Sequence, residues 1–150
     1  MDPIEAALFR AGIERSPSTG LAAYLVAAAI AERNLALGLT TILDASNYVE
    51  PARRMWRDLA EQQRVPLRWI EIVCADETLH RARVEARGAY IAGFPAVTWA
   101  DVLRRRTETE PWADERLVVD TTAPAEANLA RALAYLGSAW EVTLPGTPAG

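Results

Sequence analysis

At 150 residues the chain suits one domain, long enough to bury a core, and 51% of it is hydrophobic. A net charge of −4 argues against general nucleic-acid or anionic-membrane binding. All 16 of its basic side chains are arginines, with no lysine anywhere. The single cysteine, Cys74, excludes an internal disulfide and fits a reducing compartment. One Cys and one His, His80, also exclude a Cys/His zinc cluster. The most apolar stretch, Leu21–Ala31, is too short to span a bilayer and too internal for a signal peptide. The expected location is cytoplasmic.

In chain order, Pro3–Ala11 reads as a short helix with Pro in its first turn and Gly12 beyond its end. A polar link, Glu14–Thr19, follows, in which Ser16 or Ser18 can cap a long helix ending near Leu37 and Gly38. Leu21, Tyr24, Leu25, Ala28 and Leu35 fall on one stripe of that helix, predicted to face a sheet. Leu39–Leu43 reads as a strand closed by Asp44. Pro51 opens a helix predicted to turn Met55 and Leu59 inward and Arg53, Arg54 and Arg57 outward.

Leu67–Cys74 is the clearest strand, dense in Ile, Val and Trp, and a helix from Asp76 to Arg87 follows. Gly88–Pro95 reads as a loop and Trp99–Thr107 as an arginine-heavy helix capped by Thr98. Leu117–Val119 is a further strand ended by Asp120, and the last helix covers Ala125–Leu136. Trp140–Leu144 alternates like an edge strand, and Gly146–Gly150 reads as a disordered end. Alternating strands and helices imply parallel pairing in a layered α/β fold. Ligands of such sheets gather at the carboxyl ends of strands. Asp44, Cys74–Asp76 and Asp120 fall there.

Four segments together carry a resemblance: L-T-T-I-L-D-A-S-N at 39–47, L-H-R-A-R-V-E-A-R at 79–87, R-R-R-T-E-T-E-P-W at 104–112 and L-V-V-D-T-T at 117–122. Their order and spacing resemble the P-loop small-molecule kinases of the zeta-toxin and chloramphenicol-phosphotransferase type, often grouped with AAA-family ATPases. The resemblance implies an α/β fold with a three-layer parallel sheet of the P-loop NTPase kinase type. Residues 1–137 would form its body, with a lid at about 88–112 and a tail at 138–150. It also implies ATP and Mg²⁺ as cofactors and transfer of the γ-phosphate to a hydroxyl of a small-molecule substrate.

The same resemblance carries candidate roles onto this sequence. Arg83 and Arg87, four apart on one helix face, and Arg104 in the lid would neutralise charge on the transferring phosphoryl group. Asp44 would hold Mg²⁺ through water, and Asp2 would act as the base. Asp120 and Thr121 would lie on the nucleotide side. Each has a plainer reading beside it. Arg83 and Arg87 could form a solvated face paired with Glu77 or Glu85, and Arg104–Arg106 a wet surface pointing three ways. Asp44 could be a cap, and Asp120 and Thr121 a turn.

A complete kinase of this kind opens with a strand, a G-x-x-x-x-G-K-[ST] loop, a helix and a second strand. Neither that motif nor any lysine occurs here. Met1 therefore reads as an internal start, a truncation or a deletion, and the fold as incomplete by those four elements. Such a gap would leave unpaired strand edges, which cost about 1–3 kcal/mol per unsatisfied group. Either the two edges close on each other or a partner supplies a strand. Exposed apolar surface and self-association are expected in both cases. The rival to an inactive, truncated phosphotransferase is a non-enzymatic remnant serving as a binding or dimerisation module.

Overall fold

The structure, a computed structural model, describes residues 1–89 and 91–137. In chain order these form α1 (Asp2–Arg10), α2 (Pro17–Ala36), α3 (Glu50–Gln63), β1 (Ile70–Val73), α4 (Glu77–Arg87), α5 (Trp99–Glu108), β2 (Leu117–Asp120) and α6 (Ala125–Gly137). They gather into two compact units, each discontinuous in sequence. The first is Met1–Leu67 with Arg81–Ala113, and the second, in its described part, is Arg68–His80 with residues 114–137.

The first unit is helical. Ser16 caps α2 as expected, its hydroxyl accepting from the Thr19 amide at 3.1 Å. At the other end Gly38 takes φ +74°, and its amide bonds the Leu35 carbonyl at 2.8 Å while Leu39 reaches Asn34 at 3.0 Å. This is the left-handed stop that a glycine makes without strain. Between these ends, Ala23, Ala27 and Ala31 form the buried stripe, one turn apart, and α2 packs on α1 and α3. The Tyr24 ring stacks on Trp56 at 5.8 Å.

That corrects the predicted inward face of α2. Leu21 and Leu25 are exposed, whereas Tyr24, Ala28 and Leu35 are half-buried. The cause is steric: alanines let two neighbouring helices approach closely, and no strand of this unit covers the leucines. The predicted strand Leu39–Leu43 is likewise not one, and its Leu39 and Ile42 are exposed. A strand is held by hydrogen bonds to a neighbouring strand, and none pairs with it among the described residues.

Within the first unit the chain from Ala92 to Trp112 is fastened to the helices. Arg10 donates to the Ala92 carbonyl at 2.8 Å, and the Phe9 and Phe94 rings stack at 6.0 Å. Gly93, at φ +84°, lies so close to α1 that a Cβ there would come within 2.9 Å of the Arg10 Cγ. Only glycine fits both the backbone angle and the gap.

In the second unit β1 and β2 pair in parallel, Ile70 opposite Leu117 through Val73 opposite Asp120. Parallel pairing is the predicted outcome of the strand–helix alternation. The three-layer sheet is not seen: two strands make up the sheet among the described residues. Helix α6 packs on β2, Val119 is buried, and Arg131 donates to the Val118 carbonyl at 3.1 Å. An ion pair between Arg116 and Glu71 at 2.6 Å ties the two strands together. Ile72 and Val118 remain exposed. The predicted strand Trp140–Leu144 and the end Gly146–Gly150 lie outside the described residues. Among those residues no helix is long and apolar enough to cross a membrane.

Candidate functional site

Among the described residues, an extended polar cluster forms where the turn before α3 meets the stretch after α5. Glu50 and Pro51 start α3, and Arg53, Trp56, Leu59 and Ala60 make its buried face. Arg53 is 0% exposed, which corrects its predicted outward placement. Its guanidinium reaches the Glu50 carboxylate at 3.2 Å and the carbonyls of Asn47 at 3.2 Å, Glu110 at 3.4 Å and Pro111 at 2.9 Å. It also lies over the Trp112 ring, 4.6 Å from the centroid. A buried charge is tolerable only when its donors are satisfied in this way.

Asn47 organises the other side of the cluster. At φ +44° it takes a left-handed conformation that asparagine accepts more readily than most side chains. Its Oδ1 accepts from the Trp56 indole N–H at 2.8 Å, and its amide donates to the Tyr24 hydroxyl at 3.3 Å. The Glu110 amide donates to the Tyr48 carbonyl at 2.9 Å, and the Glu110 carboxylate accepts from the Glu50 amide at 2.6 Å, at the first turn of α3. A carboxylate is favourable at a helix start. The Glu50 carboxyl is held below its usual range by its hydrogen bond to Arg57, with Arg53 adding to the effect.

Five of the seven residues singled out from sequence belong to the first unit. The Met1 amino group donates to the Asp44 carbonyl at 2.8 Å, so the start of α1, bearing Asp2, abuts the Asp44 segment. Asp44 itself is exposed. Arg83 and Arg87 lie one turn apart on α4, both exposed, and Arg81 on the same helix pairs with Glu85 at 2.8 Å. Arg104 pairs within its own helix, with Asp101 at 2.6 Å and Glu108 at 3.8 Å. Arg105 lies 3.6 Å over Tyr48 and shares the Glu108 carboxylate with Arg104, at 3.7 Å, whereas Arg106 lies 5.3 Å over Trp99. Thr98 and Asp101 form a reciprocal capping box at the start of α5. Hydrogen bonds from the Thr98 hydroxyl and amide, then from Arg104, hold the Asp101 carboxyl far below the ordinary range.

Asp120 and Thr121 belong to the second unit and shape a turn there. Asp120 accepts from the Ala75 amide at 3.2 Å and the Thr122 amide at 3.0 Å, and the Thr121 hydroxyl donates to the Val73 carbonyl at 2.9 Å. Asn128, buried on α6, donates to the Asp120 carbonyl at 2.8 Å. Asp76 caps α4 through the Leu79 amide at 2.9 Å, as its position predicts.

Reading the sequence missed Asn47, Arg53 and Glu110 as a unit. One signal was present: Arg53, Trp56 and Ala60 recur at helical spacing, so an arginine occupies a position of the stripe that is otherwise apolar. As to phosphate, the chain offers no lysine, and Arg104 is engaged along its own helix.

A family model described as AAA domain matches residues 4–109, more than half of the chain. No curated protein and no solved structure matches it. With an α/β architecture, a parallel strand pair and that match in hand, the chain belongs to the AAA domain family, among its P-loop kinase-like NTPases.

Proposed function

We propose that this chain is the body of an ATP-dependent phosphotransferase domain of the small-molecule kinase type, without the loop that grips the nucleotide phosphates. Such enzymes work by positioning and by stabilising charge, and a P-loop lysine is one of their principal charges. None is available here, and arginines do not substitute freely for it, since a planar fork and a compact ammonium differ in reach and geometry. We therefore expect the chain alone not to bind ATP–Mg²⁺ and not to turn over. In a domain completed by a phosphate loop, Asp2, Arg83, Arg87 and Arg104 are our candidates for the acceptor and charge-stabilising roles. Asp44 is the candidate for metal support, and Asp120 and Thr121 for the nucleotide side.

The observation that carries this reading is the family match over residues 4–109. A second reading, a binding or dimerisation module that has left nucleotide chemistry behind, is favoured by the exposed apolar side chains of α2. Calorimetry with ATP–Mg²⁺ on the 150-residue chain, folded by circular dichroism, tests the proposal. No heat is expected. Saturable heat would overturn it and require arginines to hold the phosphates.

A further inference from the structure

We infer that the outer face of α2 is a contact between two copies of this chain, packed antiparallel about a two-fold axis beside Leu25 and Val26. The inner face is already used by Ala23, Ala27, Ala31 and the Tyr24–Trp56 stack. On the outer face, Leu21, Leu25, Val26 and Ile30 are 58%, 56%, 42% and 52% exposed. A run of large apolar side chains left open along one helix marks a surface that something covers.

Charge selects the occupant. From Ser16 to Ala31 the sequence holds no charged residue. An acidic or basic partner would find nothing to pair with, whereas a second copy meets the face without stranding a charge in a dry contact. The spacing then supplies the symmetry. Leu21 and Ile30 are equidistant from the midpoint between Leu25 and Val26, and so are Ala22 and Ala29. At 3.6 residues per turn, Ala22 and Ala29 lie about 20° apart on the centre line, with Leu21 and Leu25 on one flank and Val26 and Ile30 on the other.

Antiparallel packing therefore puts Leu25 in a layer with Val26 of the partner subunit and Leu21 in a layer with Ile30 of the partner subunit. The alanines let the axes come close. A two-fold contact of this kind uses the same patch twice and closes on itself. The chain ends of the helix fit as well. Glu32 and Arg33 of one copy come beside the uncharged Ser16–Thr19 start of the other, so no like charges meet. The helix patch alone, about 15 Å long, falls short of the roughly 800 Å² per partner of a standard stable interface. The exposed Ile13 and Leu37, at opposite ends of α2, extend it, because the antiparallel arrangement carries one toward the other. The association is accordingly concentration-dependent.

Sedimentation across a concentration series, on the whole chain and on Leu25→Glu and Val26→Arg, tests this. Both positions are exposed, so both variants keep the wild-type circular dichroism. The wild-type chain is expected to go from monomer to dimer, each variant alone to stay monomeric, and an equimolar mixture of the two to regain the dimer through a Glu–Arg layer. A wild-type chain that remains monomeric throughout overturns the inference. A dimer that survives either substitution, or a mixture that fails to pair, overturns it too.

Discussion

Arg53 and Arg104 carry the same charged group at two depths of one unit, and almost everything about them differs. Arg53 is fully enclosed and spends its donors on one carboxylate and three carbonyls from two distant stretches of chain. Arg104 is 54% exposed and pairs only with acids three and four residues away. In the first case removal would take the donor from the buried Asn47 carbonyl and from part-buried ones beside it, and in the second water replaces whatever is lost. A basic residue in a kinase-like segment is thus not a site by virtue of its charge. Its surroundings decide whether it holds structure, meets ligand or only meets solvent.

The strongest way to test that contrast is Arg53→Ala, expected to cost about 3 kcal/mol or more in urea unfolding, because it empties the place of a fully enclosed side chain and takes the donor from three carbonyls. Arg53→Lys should recover only part of this, since one ammonium cannot replace a fork aimed at several acceptors. Equal stability of Arg53→Ala and the wild type would dissolve the distinction. Next in size, Trp56→Phe removes the donor to the Asn47 Oδ1 and should cost about 1–2 kcal/mol by the same measurement.

Thr98→Ala, which opens the capping box of α5, should cost about 1 kcal/mol. Smallest is Arg104→Ala, expected within about 0.5 kcal/mol of the wild type, as for exposed ion pairs in general. A larger loss would mean that Arg104 does structural work of the Arg53 kind.

The capping box also makes a pH prediction. The folded carboxyl of Asp101 titrates far below its unfolded range. Its ionised form therefore favours the folded helix, fully so above the ordinary aspartate pKa of about 4. That contribution fades as pH falls from there toward the depressed folded value. The acid limb of α5 stability, followed by amide chemical shifts, should flatten in Asp101→Asn. An unchanged limb would show that another carboxylate governs it.

Much of the local structure is legible in the chain itself. Ser16, Asp76 and Thr98 announce helix starts, Gly38 announces a stop, and strand–helix alternation announces a parallel pair. Each is a rule acting within a few residues, so neighbours in sequence suffice. The family resemblance, too, was carried by short segments in order. What failed were statements about facing. The apolar run Leu39–Leu43 looked like a strand, the leucines of α2 looked like its inner side, and Arg53 looked like surface.

The sequence by itself determined where most helices begin and end, the parallel sense of the strand pair, the absence of any lysine and the resemblance to a kinase-like family. Tertiary structure alone decided which side of α2 is covered, whether Leu39–Leu43 finds a partner, and that Asn47, Arg53 and Glu110 close into one polar cluster. The physical reason is range. Caps and turns are settled by hydrogen bonds across three or four residues, whereas burial depends on which distant segment arrives. Residues some sixty apart, Glu50 and Glu110, become partners only once the chain has folded.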